Sequence, residues 1–96
     1  MVANIIINQI KTMDKWAFGD WGSKDFVDMK DGLKFKTTGM VKWKGYVYVQ
    51  YNEGSDLYNV IFGKIIKHEW KVQKQVDDVY FDQLVDIIDS KVLKGE

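Results

Sequence analysis

The chain has 96 residues, 46% hydrophobic and 15% aromatic, with fourteen Lys balanced by fourteen acidic residues, one His, no Cys and no Arg. That length suits one domain, residues 1–96, and the apolar content excludes whole-chain disorder. Zero net charge excludes a globally basic nucleic-acid binder, and the lack of Cys excludes a disulfide framework and a thiolate metal site.

The first segment reads as a helix. Ile6, Ile10, Met13 and Ala17 share one face at helical spacing, and Asn4, Asn8, Lys11 and Lys15 share the opposite one. Ile5, Ile7, Trp16 and Phe18 widen the apolar sector, and Gly19 is the expected stop. From Asp25 the period changes to two. Lys30-Asp31-Gly32 is a turn signal between Phe26–Met29 and a strand in which Leu33, Phe35 and Thr37 alternate with Lys34, Lys36 and Thr38. Residues 39–45 connect to the clearest strand, with Val47, Val49 and Tyr51 on one side and Tyr46, Tyr48 and Gln50 on the other. Asn52–Asp56 is a loop of turn formers, Leu57–Phe62 a returning strand, and Gly63 a bulge or bend. Ile66, His68, Trp70 and Val72 then alternate with Lys67, Glu69, Lys71 and Gln73, predicting a strand to about Lys74 with His68 half-buried on its apolar side.

Helical spacing returns at the end. Asp77 or Asp78 can cap a helix whose stripe is Tyr80, Leu84, Ile87 and Ile88, extended by Val85 and Val92, with Lys91 and Lys94 near its C-terminus. The expected fold is α+β: an antiparallel sheet of four or five strands with an N-terminal and a C-terminal helix packed on one face. The opening residues have no basic stretch, and the longest apolar runs fall well short of a membrane span. A soluble cytoplasmic chain without a signal peptide is therefore expected, with no membrane partner.

Catalytic signatures are missing. No glycine-rich phosphate loop or dinucleotide motif occurs, and His68-Glu69 is not followed by a second His. Ser23, Ser55 and Ser90 stand in no nucleophile motif, and no carboxylate pair is embedded in an apolar run that would raise a pKa. The expectation is a protein that is not an enzyme, with no cofactor and no metal.

Charge is segregated along the chain: residues 30–74 carry a net +5 and residues 75–96 a net −4. If Leu33, Phe35, Val47, Val49, Ile66, Trp70 and Val72 point at the helices, the other sheet face carries Lys34, Lys36, Tyr46, Tyr48, Gln50, Lys67, Glu69 and Lys71, with Lys42, Trp43 and Lys44 at its rim. Lysines interleaved with aromatic rings are what a single-strand nucleic-acid binder uses, because bases stack on rings while cations follow phosphates. The same residues also suit an ordinary solvated sheet face, and without Arg there is no bidentate fork. The second feature is an acidic stripe, Asp78, Asp82, Asp86 and Asp89, on one side of the C-terminal helix. Like charges four apart disfavour a helix, so a basic protein surface, including another copy of this chain, is a candidate partner. Trp21 and Trp43 lie in loops, where Trp serves as an interface anchor.

At Trp21-Gly22-Ser23-Lys24-Asp25-Phe26, Gly32–Lys36, Tyr51–Gly54 and Asp82–Asp89, the chain resembles small uncharacterised proteins carried by phages and mobile elements of gut bacteria. The resemblance spans most of the chain and implies an accessory protein that binds a host protein or nucleic acid. The expected function is a non-enzymatic binding module acting on a protein partner or on itself, with single-stranded nucleic-acid binding through the Lys/Tyr face as the alternative.

Overall fold

A computed structural model describes residues 2–96. Helix α1 spans Val2–Met13 and a one-turn helix α2 spans Ala17–Asp20. Five strands follow, β1 (Lys24–Asp28), β2 (Gly32–Lys36), β3 (Tyr46–Asn52), β4 (Leu57–Ile66) and β5 (Glu69–Val79), and then a 3-10 turn (Phe81–Gln83) leading into helix α3 (Leu84–Val92). The strands form one antiparallel meander in chain order. This is the expected α+β architecture, with helices over one side of the sheet. No helix among the described residues is long and apolar enough to cross a membrane.

The core lies between sheet and helices. Ala3, Ile6 and Ile10 of α1 and Leu84, Val85, Ile88 and Val92 of α3 meet Leu33, Phe35, Val47, Val49, Val60 and Phe62 of the sheet, all buried. Alternation in β2 and β3 is as the sequence predicts. Three boundaries differ from expectation, each for a local reason.

The first helix ends early. The Asp14 carboxylate accepts the Trp16 backbone N–H at 3.0 Å, a side-chain turn that competes with the helical ladder, and Met13 and Trp16 are left exposed. The left-handed stop is Gly22 (φ +60°), not Gly19. Gly22 and Ser23 donate their backbone N–H groups to the Gly19 and Phe18 carbonyls, both at 3.0 Å, closing α2 as a Schellman motif. That closure folds Trp21 inward. Its ring stacks on Phe35 at 5.9 Å between centroids, and the side chain is fully buried.

His68 is not in a strand. Lys67 (φ +52°) and His68 (φ +67°) form the two-residue turn of the β4–β5 hairpin, both left-handed as a type I′ turn requires, and His68 is exposed at its tip.

Asp77 and Asp78 cap no helix, because β5 runs on to Val79. Asp78 is left-handed (φ +58°) at an irregularity between the Tyr58–Val79 and Val60–Val76 pairs. The helical segment begins instead at Tyr80, whose backbone N–H is accepted by Gln83 Oε1 at 3.0 Å, with Tyr80 itself exposed.

Candidate functional site

The helices cover one sheet face and leave the other bare, and the strand register fixes which residues occupy it, since directly opposed residues project to the same side. Lys34 opposes Tyr48 and Val27, Lys36 opposes Tyr46 and Lys24, Tyr48 opposes Ile61, and Tyr46 opposes Gly63. Across the β4–β5 ladder, Gly63 opposes Val72 and Ile65 opposes Trp70. Lys34, Lys36, Tyr46 and Tyr48 therefore share the open face, as the alternation of β2 and β3 predicts.

The contribution of β5 is the reverse of the expected one. Phe62 pairs with Lys74 while Gly63 pairs with Val72, so Gln73 is an extra residue in β5 and the alternation changes phase there. Trp70 and Val72, expected under the helices, stand on the open face. Ile66 lies on the helical side, at the end of the hairpin that reaches past the helices, and is exposed. Glu69 and Lys71 project to the side opposite Trp70, where they form an ion pair at 2.8 Å, and Lys67 belongs to the turn. Two of the expected cationic contributors, Lys67 and Lys71, are thus removed from the face. Trp70, Val72, Ile65 and Ile61 take part in it instead.

Gly63 is what lets the indole lie down. A Cβ there would stand 2.5 Å from the Trp70 ring atoms Cη2 and Cζ2, so the ring covers the bare backbone of β4. It stands edge-on to Tyr46 at 6.3 Å, and Lys34 Nζ lies 4.7 Å from the Trp70 ring and 5.0 Å from that of Tyr46. The ammonium thus caps both rings. Lys36 Nζ is 6.0 Å from Tyr46, and Lys36 and Lys44 border a shallow depression with Tyr46, Lys64 and Ile65.

At the other end of the face, the Tyr48 hydroxyl donates to Asp31 Oδ1 at 2.5 Å and Gln50 Nε2 donates to Asp31 Oδ2 at 3.0 Å. Those bonds hold the Asp31 carboxyl below the usual carboxylate range, the Tyr48 bond most, with desolvation opposing it. Burial, then the bond to Asp31, pushes the Tyr48 phenol up to about 12. Tyr48 is a fixed part of the surface.

Trp43 is no rim anchor. It is buried edge-on to Phe62 at 5.6 Å, with Lys91 Nζ at 5.5 Å and Lys64 Nζ at 5.8 Å from its ring. Its loop is pinned there: the backbone N–H groups of Lys42 and Trp43 donate to the Val92 carbonyl, while Thr37 Oγ1 bonds Trp43 and Gly45. Lys42 sits exposed beside the end of α3, away from the open face.

The acidic stripe is not one helical row. Asp78 is in the β5 irregularity, Asp82 in the 3-10 turn, and only Asp86 and Asp89 are on α3. Asp89 is turned inward, accepting the Trp21 indole N–H at 2.6 Å, so Trp21 and Asp89 serve the fold. Burial pushes the Asp89 carboxyl above its ordinary range. The Trp21 bond pulls the other way, and Asp14, Asp86 and Asp20 add to the rise. Asp82 and Asp86 remain exposed.

Among the described residues, no group of three His, Asp or Glu side chains is placed to hold a metal ion. A comparison with family models, with curated proteins and with solved structures finds no match to this chain.

Proposed function

We propose that this chain is a non-enzymatic binding module that docks a protein partner on its open sheet face. One observation carries the reading. The face left bare by the helices has an exposed apolar cluster on its β4–β5 side, with Ile65 49%, Val72 52% and Trp70 37% exposed, continued along β4 by Ile61 and flanked by Lys34, Lys36 and Lys44. A contiguous apolar patch with a polar rim is the composition of a protein-docking surface.

Single-stranded nucleic acid remains the rival reading, supported by the meeting of Trp70, Tyr46 and lysines on one face. Base stacking needs an uncovered ring face. Trp70 lies against Gly63, the Lys34 ammonium is shared between Trp70 and Tyr46, and the neighbouring Ile65 and Val72 offer no ring to a base. The arrangement favours apolar contact over stacking.

The test compares wild type with an Ile65→Ser/Val72→Ser double variant, both positions exposed and outside the core. Proteins retained by the immobilised wild-type chain should be lost by the variant at unchanged thermal stability. An identical set of retained proteins would overturn the reading. Binding of an oligothymidylate at low salt that disappears on Tyr46→Ala would replace it with the nucleic-acid one.

A further inference from the structure

The chemistry of the open face specifies its occupant. Ammonium groups of Lys24, Lys34, Lys36 and Lys44 call for carboxylates, and Ile65, Trp70 and Val72 call for apolar side chains. A symmetric face-to-face pairing of two copies sets lysine against lysine, which like-charge repulsion opposes.

The other side of the same chain carries the complement. Ile5, Met13 and Phe81 line one apolar depression between α1 and the 3-10 turn, and these three and neighbouring Tyr80 are 47–58% exposed although the helical layer lies directly beneath them. Asn8, Gln9 and Thr12 complete its lining, and carboxylates neighbour it along the chain: Asp14 follows Met13, Asp82 follows Phe81, and Asp86 lies a turn further on. Asp14 and Asp20 are near enough to α3 to act on Asp89. One cation, Lys15, stands next to Asp14 with its Nζ 5.1 Å from the Trp16 ring, and the three carboxylates outnumber it. The segregation of charge along the sequence therefore becomes two unlike surfaces, one basic and aromatic, one acidic and aromatic. The net charge of zero means that no overall repulsion keeps copies apart.

We propose that the occupant of the open face is a second copy of this chain, bound head to tail, with Phe81, Met13 and Ile5 of one copy set on Trp70, Val72 and Ile65 of the next and Asp82 and Asp86 set against Lys34 and Lys36. The proposal rests on the open-face reading and names the partner. Because the two surfaces differ, the contact is heterologous and the pair keeps one free surface of each kind, so association continues into rings or short filaments instead of stopping at a symmetric dimer. Each surface offers only three or four exposed apolar side chains, so the assembly is weak and concentration-dependent.

Sedimentation of the pure chain from micromolar to millimolar concentration tests this. The weight-average mass should climb past the dimer and fall as salt is raised. Ile65→Ser/Val72→Ser and Phe81→Ser/Asp82→Lys should each weaken self-association at least tenfold. Each variant keeps the surface the other lacks, so an equimolar mixture should form a one-to-one pair and stop there. A wild-type chain monomeric throughout the range overturns self-association, and so does a mixture that fails to pair. If the Ile65/Val72 variant still loses proteins retained by wild type, the open-face reading stands while this partner falls; if nothing is lost, both fall.

Discussion

Replacing Gly63 by Ala adds one methyl group at the point where β4 is covered only by Trp70. The new Cβ would lie 2.5 Å from Cη2 and Cζ2 and 2.9 Å from Cζ3 of the indole, so the ring must retreat by roughly 1 Å to reach ordinary contact distance. It has room to do so, being partly exposed on the outer face. Retreat costs about 0.5–1.5 kcal/mol in rotamer strain. It also loosens the Lys34 and Tyr46 contacts, worth about 1–2 kcal/mol together at an exposed site. Against this, Ala in a strand is favoured over Gly by about 0.5–1 kcal/mol. The net is a loss of about 1–2 kcal/mol, or roughly 4–16 °C in melting temperature for a chain of this size. The assay is thermal unfolding of Gly63→Ala, of Trp70→Ala and of the double variant, treated as a cycle. Without the indole, the same methyl group should become stabilising. A Gly63→Ala penalty of equal size in both backgrounds would refute the argument that this glycine exists to seat Trp70.

Three further outcomes follow from the geometry. Asp89→Asn keeps an oxygen for the Trp21 indole N–H while removing a partly buried charge, so it should match or exceed wild-type stability at neutral pH. Asp89→Ala leaves that donor unpaired and should cost about 1–3 kcal/mol by denaturant unfolding. Because the native Asp89 pKa is raised, its contribution is fully present below the ordinary value of 3.8 and is lost as pH rises through the higher native value. Asp31, whose pKa is lowered, acts in the opposite sense: its contribution is present above 3.8 and lost as pH falls through the native value. Asp89→Asn should therefore abolish the first component and leave the second. In a spectrophotometric titration, Tyr48 should ionise near 12, with stability from this group held below 10.0 and lost as pH rises through 12; Asp31→Asn should bring that step down. Gly22→Ala places a Cβ 2.1 Å from the Thr38 carbonyl oxygen at a left-handed position, and should destabilise by more than about 2 kcal/mol; an unchanged melting temperature would refute the Schellman closure of α2.

What the sequence made legible was whatever repeats with an unbroken period. Ile6 and Ile10, the alternation from Leu33 to Thr37 and from Tyr46 to Gln50, and Leu84, Ile88 and Val92 follow one rule over several turns or pleats, and these residues build the core and half of the open face. Legibility failed where one residue interrupts the count. Gln73 shifts the phase of β5, so Trp70 and Val72 stand on the side opposite to the one alternation assigns them. Asp77 and Asp78 resemble a helix cap because aspartate suits a cap and a left-handed irregularity equally well. Lys67-His68 carries none of the Asn or Gly that usually marks a two-residue turn, which hid the hairpin inside an apparent strand. Trp21 looked like a loop residue because nothing local shows that the loop closes inward onto Phe35 and Asp89.

The two side-chain-free positions Gly45 and Gly63 lie next to each other, a Cβ on Gly45 falling 2.7 Å from the Gly63 carbonyl oxygen, with Trp43 against one and Trp70 against the other from opposite directions. The wall between interior and exterior is thinnest there, a single thickness of main chain with an indole on each side. A load placed on the outer indole has only that chain to cross before it reaches the inner one, and through it the last turn of α3. Trp43 is thereby a built-in probe: its indole N–H resonance, resolved from those of the other three tryptophans, should shift when a ligand that never touches it occupies the outer face.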